Sequence, residues 1–198
     1  RRLLNEITLT QLVGRDPTFL RAIAHLPRFA RTDLPVLITG ETGTGKEFCA
    51  RALHQLGARR AEPFIAVDCG AIPDALFESE IFGHVRGAFT DAHRDHRGLV
   101  AMAERGTLFL DEIDALSLPA QAKLLRFLQE RTFRPVGAER VVRADVKVVT
   151  ASNRDLDLCL REQRFRSDLY FRLNVLRIQL PPLRARRGDI EVLAGHLL

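Results

Sequence analysis

The octapeptide GETGTGKE, Gly40 to Glu47, carries the residue types that hold a phosphate chain. Gly40, Gly43 and Gly45 let the backbone around Glu41, Thr42 and Thr44 turn its N–H groups inward on phosphate oxygens, and the Lys46 ammonium reaches the outer phosphates. The spacing follows G-x-x-x-x-G-K-[ST] up to the last position, where Glu47 replaces the hydroxyl that would bind Mg2+. Further along, GTLFLDEI ends an apolar run with two adjacent carboxylates, Asp111 and Glu112. At the carboxyl end of a parallel strand, Asp111 would hold Mg2+ directly or through water, and Glu112 would polarise an attacking water. Paired acids at a strand end also serve as a helix cap. Beside a phosphate loop they read as the second half of a nucleotide site.

Those groups meet only if strands and helices alternate around them. PVLITG (35–40) is a short buried strand followed by the glycine-rich turn and a helix through KEFCARALHQLG. PFIAVD (63–68), GTLFLD (106–111), DVKVVTAS (145–152) and VLRIQL (175–180) are further strands, and PAQAKLLRFLQER (119–131) is an amphipathic helix opened by proline in its first turn. Near-continuous apolar strands separated by helices imply an α/β fold, a central parallel sheet covered on both faces. LPPL (180–183) breaks the alternation, and GDIEVLAGHLL begins a helix, so a second unit is expected to start at residue 181.

The 198 residues are enough for one domain with a sizeable core. No apolar run approaches the roughly 18 residues of a membrane span, and no signal peptide opens the chain. The first residue is Arg1 and the single methionine is Met102, as expected of a piece of a longer protein, with residues 1–11 a linker. Cys49, Cys69 and Cys159 form neither a metal pattern nor a disulfide framework, which suits a reducing cytoplasm. The net charge of +5 is spread among acids, so no basic stripe marks a nucleic-acid surface. His93 and His96, with Asp91 and Asp95, are too loosely spaced for a metal site and read as a solvated polar stretch.

One segment fits no element. GHVRGAFTDAHRDHRG (83–98) sets Ala88, Phe89 and Thr90 between glycines and charges with neither a helical nor a strand period. An aromatic on such a loop is either a contact held out for a partner or a side chain folded back on the domain.

GETGTGKE, GTLFLDEI, QAKLLRFLQE and FRSDLYFRLNVLRIQLPPLRARRGDI together resemble the AAA+ domain of the sigma-54-dependent transcriptional activators, the NtrC-like bacterial enhancer-binding proteins. The resemblance runs from LVGRDP (Leu12–Pro17) to the end. It implies an AAA+ P-loop ATPase subdomain over 12–180, followed by the start of a truncated helical lid over 181–198. It further implies a homo-oligomeric, hexameric ring with ATP and Mg2+ between neighbours, acting on sigma-54 RNA polymerase. Glu at the end of the phosphate loop is usual in that family, so Glu47 is no defect. GAFTDA (Gly87, Ala88, Phe89, Thr90, Asp91, Ala92) falls where the family carries GAFTGA, whose Phe and Thr touch sigma-54. Asp91 departs from that motif, adding a charge and removing freedom at positive φ. Asn153, in TASNRDL, matches the residue that senses the γ-phosphate, and Arg166 and Arg172 match arginine fingers that reach a neighbour's site. Leu12, Val13 and Gly14 match the lining of the adenine pocket, and Thr132–Arg143 a second loop, with Pro135 where relatives carry Arg. Asp68 stands where relatives carry an Asn bonded to the catalytic glutamate; it is either part of that switch or a strand-end cap. DNA would be bound by a C-terminal domain absent from this chain. A nucleotide-gated regulatory module, or an activator that works without sigma-54 through its altered loop, are the alternatives.

Overall fold

The computed structural model describes residues 12–197, so the linker expected over 1–11 lies outside the described residues. In chain order the elements are α1 (Pro17–Ile23), α2 (Leu26–Ala30), β1 (Val36–Thr39), α3 (Lys46–Leu56), β2 (Phe64–Asp68), α4 (Asp74–Phe82), β3 (Gly83–His84), β4 (His96–Arg97), α5 (Leu99–Met102), β5 (Thr107–Asp111), α6 (Leu118–Glu130), β6 (Thr132–Phe133), β7 (Val142–Arg143), β8 (Lys147–Ser152), α7 (Leu156–Arg161), α8 (Ser167–Leu173), β9 (Leu176–Gln179) and α9 (Ile190–Leu197). The five apolar runs form one sheet in the order β2-β5-β8-β1-β9, and every pairing in it is parallel.

The register explains why these strands read as continuous hydrophobic runs. Leu37, Leu108, Leu110 and Val148 face one core, against Phe77 and Ile81 of α4, Leu124 and Phe127 of α6, and Leu169 and Leu173 of α8. Val36, Ile38, Phe109, Val149 and Ala151 alternate with them and face a second core, built from Phe19 of α1, Leu26 of α2 and Cys49, Ala50 and Leu53 of α3. Both faces are apolar because both are covered.

Helix α6 starts where its signals place it. Ser117 is the N-cap and its hydroxyl accepts from the Ala120 N–H, Pro119 lies in the first turn, and left-handed Arg131 (φ 54) ends the helix. The expected range of 119–131 shifts by one residue. Helices α1 and α2 were not expected, although Asp16 caps Thr18 N–H at 2.8 Å and a proline opens each. At seven and five residues they are too short to display a period. The segment 83–98 is anchored rather than free: β3 and β4 pair as an antiparallel stem, so the loop rises between α4 and α5.

Lys147, at the start of β8, is buried and donates to the carbonyls of Phe29 (2.9 Å) and Ala30 (3.1 Å). Burial lowers its pKa from 10.5 to about 8, with Asp33 opposing and Arg59 adding. Between those values the unfolded chain holds a proton that the folded chain has lost, so this group makes stability rise with pH. The buried thiols of Cys49 and Cys69, pushed up from 9.0 to about 12, act in the opposite sense above pH 9. Relative to a Lys147→Met variant, the wild type is therefore expected to gain stability from pH 8 to pH 10.5 in urea unfolding. Parallel pH curves for the two proteins would show that the ammonium is not desolvated.

Candidate functional site

The phosphate loop leaves the end of β1 and enters α3. Gly43 (φ 79) and Gly45 (φ 96) both take left-handed backbone, which only glycine adopts without strain. A side chain at Gly43 would meet no atom within 4 Å, so the dihedral rather than space demands glycine there. Thr44 is buried, and its hydroxyl donates to the Glu41 carbonyl at 2.7 Å. Lys46 is buried as well and folds over the loop, donating to the carbonyls of Gly40 (3.1 Å) and Glu41 (3.3 Å). Its ammonium is thus held at the mouth of the loop rather than in solvent. Glu47 points along the outside of α3, where Arg51 donates two hydrogen bonds to its Oε1 at 2.7 and 3.0 Å.

Asp111 ends β5 beside Asp68 on β2, with which it is in register, and Glu112 follows it. Glu112 is a non-glycine residue in the left-handed region (φ 51, ψ 44), a strained turn that aims its side chain off the sheet end. Its N–H donates to Asp111 Oδ1 at 2.9 Å, and its Oε1 accepts from Asn153 Nδ2 at 3.1 Å. Its Oε2 lies 2.7 Å from where a Cβ on Gly70 would sit, so any side chain at Gly70 would displace the carboxylate. Asn153 follows the last residue of β8, so strand order alone brings a residue forty-one positions away onto the glutamate. Its Oδ1 is buried and has no hydrogen-bond partner among the described residues.

Asp68 does not bond Glu112. Its Oδ1 accepts from the Gly70 N–H at 2.9 Å and caps the short turn Cys69–Ala71. Of the two readings the residue type allowed, this conformation has the cap. The Cys69 thiol beneath it is pushed up to about 12, first by burial and then by Asp68, Asp111, Asp114 and Glu112. The sheet end is therefore strongly negative and suited to a cation. Asp111 fits Mg2+: its Oδ1 is occupied by an amide, while among the described residues its other oxygen accepts no hydrogen bond. Glu47, already held by Arg51, is a poorer donor for such an ion.

The Gly87–Ala92 segment stands on its stem as a closed turn. Gly87 N–H donates to Ala92 O (2.8 Å), Ala92 N–H to Phe89 O (3.0 Å) and Arg86 N–H to Asp95 Oδ1 (2.8 Å). Ala92 is buried under it, while Phe89 is 41% exposed and leans edge-on against the His84 ring, 4.9 Å between centroids. Ala88 and Thr90 flank it, Thr90 exposed. Asp91 takes an ordinary negative φ, so the extra side chain costs no backbone strain here. The second loop braces the first: Val85 N–H donates to Val136 O (3.0 Å), and Ala88 approaches Gly137 so closely that a Cβ there would lie 2.7 Å away.

Neither Arg166 nor Arg172 contacts the phosphate loop or Glu112 of its own chain. Arg166 stands at the N-cap position of α8 and grips Asp168, two residues on, through two hydrogen bonds of 2.8 and 3.1 Å. Arg172 donates to the Leu128 carbonyl at the end of α6 (3.0 Å). Val13 and Gly14 precede α1, and a Cβ on Gly14 would strike the Phe19 ring at 2.4 Å and Asp189 Oδ2 at 2.8 Å. Sequence reasoning missed Arg184, which grips Glu41 of the phosphate loop with two hydrogen bonds of 2.6 and 2.7 Å, because the pair spans 143 residues. It also missed Ser152 and Asp114, whose 2.7 Å hydrogen bond fixes the chain just before Asn153.

The sigma-54 interaction domain family matches residues 12–179. The transcriptional regulatory protein GlrR of Escherichia coli K12 is 49% identical over 187 residues, 94% of this chain and 42% of that protein. A Nif-specific regulatory protein of Azospirillum lipoferum is 48% identical over 190 residues, 96% of this chain and 30% of that protein. This chain thus spans less than half the length of these relatives. Among solved structures, NtrX from Brucella abortus in complex with ATP superposes with a TM-score of 0.84 at 34% identity, covering 93% of this chain and 41% of NtrX. The P-loop NTPase domain of an E. coli sigma-54 activator, with a TM-score of 0.57 at 22% identity over 86% of this chain and 99% of that one, shares the fold. No helix among the described residues is long and apolar enough to cross a membrane.

Proposed function

The chain belongs to the sigma-54 interaction domain family, and from that premise we propose that it is an ATP-hydrolysing AAA+ domain that drives sigma-54-dependent transcription through its Gly87–Ala92 loop. The observation that carries the reading is the Asn153–Glu112 hydrogen bond at the sheet end that also bears the glycine loop and Lys46. A solitary strand-end acid needs no such partner; a general base that must be aimed does.

In this mechanism the backbone of Gly43–Gly45 and the Lys46 ammonium receive the phosphates, the ammonium exchanging its two carbonyl partners for phosphate oxygens. Glu112, oriented by Asn153, takes the proton of the attacking water, and the unpartnered Asn153 Oδ1 is a second acceptor for that water or its replacement. Bound Mg2+ supplies charge neutralisation to the phosphates, with Asp111 as the carboxylate that would hold it. Arg166 and Arg172 complete the site of a neighbouring subunit in a ring. Loss of the γ-phosphate alters the Glu112 environment, and the change reaches Phe89 and Thr90 through α4 and the β3–β4 stem, whose His84 supports the Phe89 ring.

The test uses the intact protein with ADP and aluminium fluoride, and reads co-migration with purified sigma-54 on native gels. Wild type is expected to be trapped, Phe89→Ala to lose the complex, and Asp91→Gly to form at least as much of it. Steady ATP hydrolysis without trapping of either wild type or Asp91→Gly would assign the motor to a different client. No hydrolysis at any protein concentration would leave a nucleotide-gated regulatory module.

A further inference from the structure

Between β9 and α9 the chain wraps the back of the phosphate loop. Leu180 N–H donates to Thr39 O (2.8 Å), Arg184 grips Glu41, and Arg186 Nη2 donates to the Thr44 carbonyl (3.3 Å). Arg186 is only 5% exposed, its guanidinium lying 4.7 Å over the Phe19 ring. Asp189, 0% exposed, sits immediately before α9, and its Oδ1 accepts from the N–H groups of Arg15 (2.5 Å) and Asp16 (2.8 Å). The two charged groups face each other at 3.8 Å between Nη1 and Oδ2, and among the described residues both Arg186 Nε and Asp189 Oδ2 lack a hydrogen-bond partner.

As a contribution to stability this arrangement is poor. Two desolvated charges are held beyond good hydrogen-bonding distance with two buried atoms unsatisfied, and an apolar pair of similar size would serve the fold as well. What the pair does is join three parts that no other pair of side chains joins among the described contacts. These are the Thr44 peptide between the two left-handed glycines, the backbone of residues 15–16, and the start of α9.

We propose that Arg186 and Asp189 are positioning residues for the nucleotide. They set the Thr44 peptide, and with it the Gly45 and Lys46 amides, and they pass occupancy of the loop on to α9. The inference rests on reading Gly40–Lys46 as the ATP site. Phosphates entering the loop re-aim the Thr44 peptide and bring the guanidinium and carboxylate into direct contact, satisfying Arg186 Nε and Asp189 Oδ2. The open pair is thus one state of a two-state link between the loop and the helix that follows it.

The experiment is fluorescence titration of the intact protein with mant-ADP, paired with thermal unfolding in the absence of nucleotide. The double variant Arg186→Met/Asp189→Asn removes both buried charges of the pair and keeps an oxygen for the Arg15 and Asp16 amides. It is expected to unfold at a temperature no lower than wild type yet bind mant-ADP about tenfold or more weakly, within the usual range of coupling between sites. Asp189→Asn alone, which keeps the Arg186 contact with the Thr44 carbonyl but leaves the guanidinium without its counter-charge, is expected to bind more weakly than wild type and more tightly than the double variant. Wild-type affinity in both variants would overturn the proposal, and so would a loss of affinity matched by an equal loss of the nucleotide-free fold. Failure of the wild type itself to bind mant-ADP would overturn the ATP-site reading, and this inference with it.

Discussion

In the intact protein, Arg172→Ala is expected to lower the ATPase rate by about 10³–10⁵-fold while leaving nucleotide affinity nearly unchanged. The expectation follows from where α8 points. The helix buries Leu169, Tyr170 and Leu173 and turns Phe171 outward, 74% exposed, beside Arg172. In the proposed ring, this face of α8 with Phe171 and Arg172 would lie against the second subunit. Among the described residues Arg172 donates to the Leu128 carbonyl alone, a neutral acceptor that it can leave for a phosphate. Arg166 must first release Asp168, whose carboxyl its guanidinium holds below the usual range, so Arg166→Ala is expected to cost less than Arg172→Ala. The decisive measurement is complementation. Arg172→Ala subunits and Lys46→Ala subunits, each inactive alone, are expected to recover activity when mixed, because each supplies what the other's site lacks. Mixtures as inactive as their parents would place both groups in one subunit's site and refute the shared one.

Glu112→Gln is expected to retain ATP binding and lose hydrolysis by about 10²–10⁴-fold, the usual contribution of a positioned general base. The amide keeps the shape of the side chain and its neighbour Asn153, so the left-handed backbone and the contact with Gly70 survive. Only the proton acceptor is removed. Asn153→Ala leaves the carboxylate in place but unaimed, and a smaller rate loss with unchanged affinity is expected. Single-turnover hydrolysis with a parallel binding measurement separates the two; equal rates for wild type and Glu112→Gln would exclude Glu112 as the base.

Much of this was legible in the residues because it is local. A glycine-rich turn between a buried strand and a helix needs only consecutive positions, so Gly40–Lys46 was readable before any folding. The same holds for the strands, whose apolar runs must be buried on both faces, and for α6, which carries a serine cap and a first-turn proline. Short elements escaped: α1, α2 and the two-residue strands of the β3–β4 stem are below the length at which a period exists.

What the tertiary structure decided are the partners. Asn153 reaches Glu112 only because β8 lies beside β5 in a parallel register, and a slip of one residue would turn it to the other face. Asp68 caps its own turn because two carboxylates offer each other no donor, whereas the Gly70 amide, two residues away, donates to it. Arg184 on Glu41, and Arg186 on Thr44, are contacts across more than 140 residues. Residue types at fixed spacing thus determined which chemistry is available. Which groups are aimed, paired or left open was set by strand order and by the burial of charge, and these exist only in the folded chain.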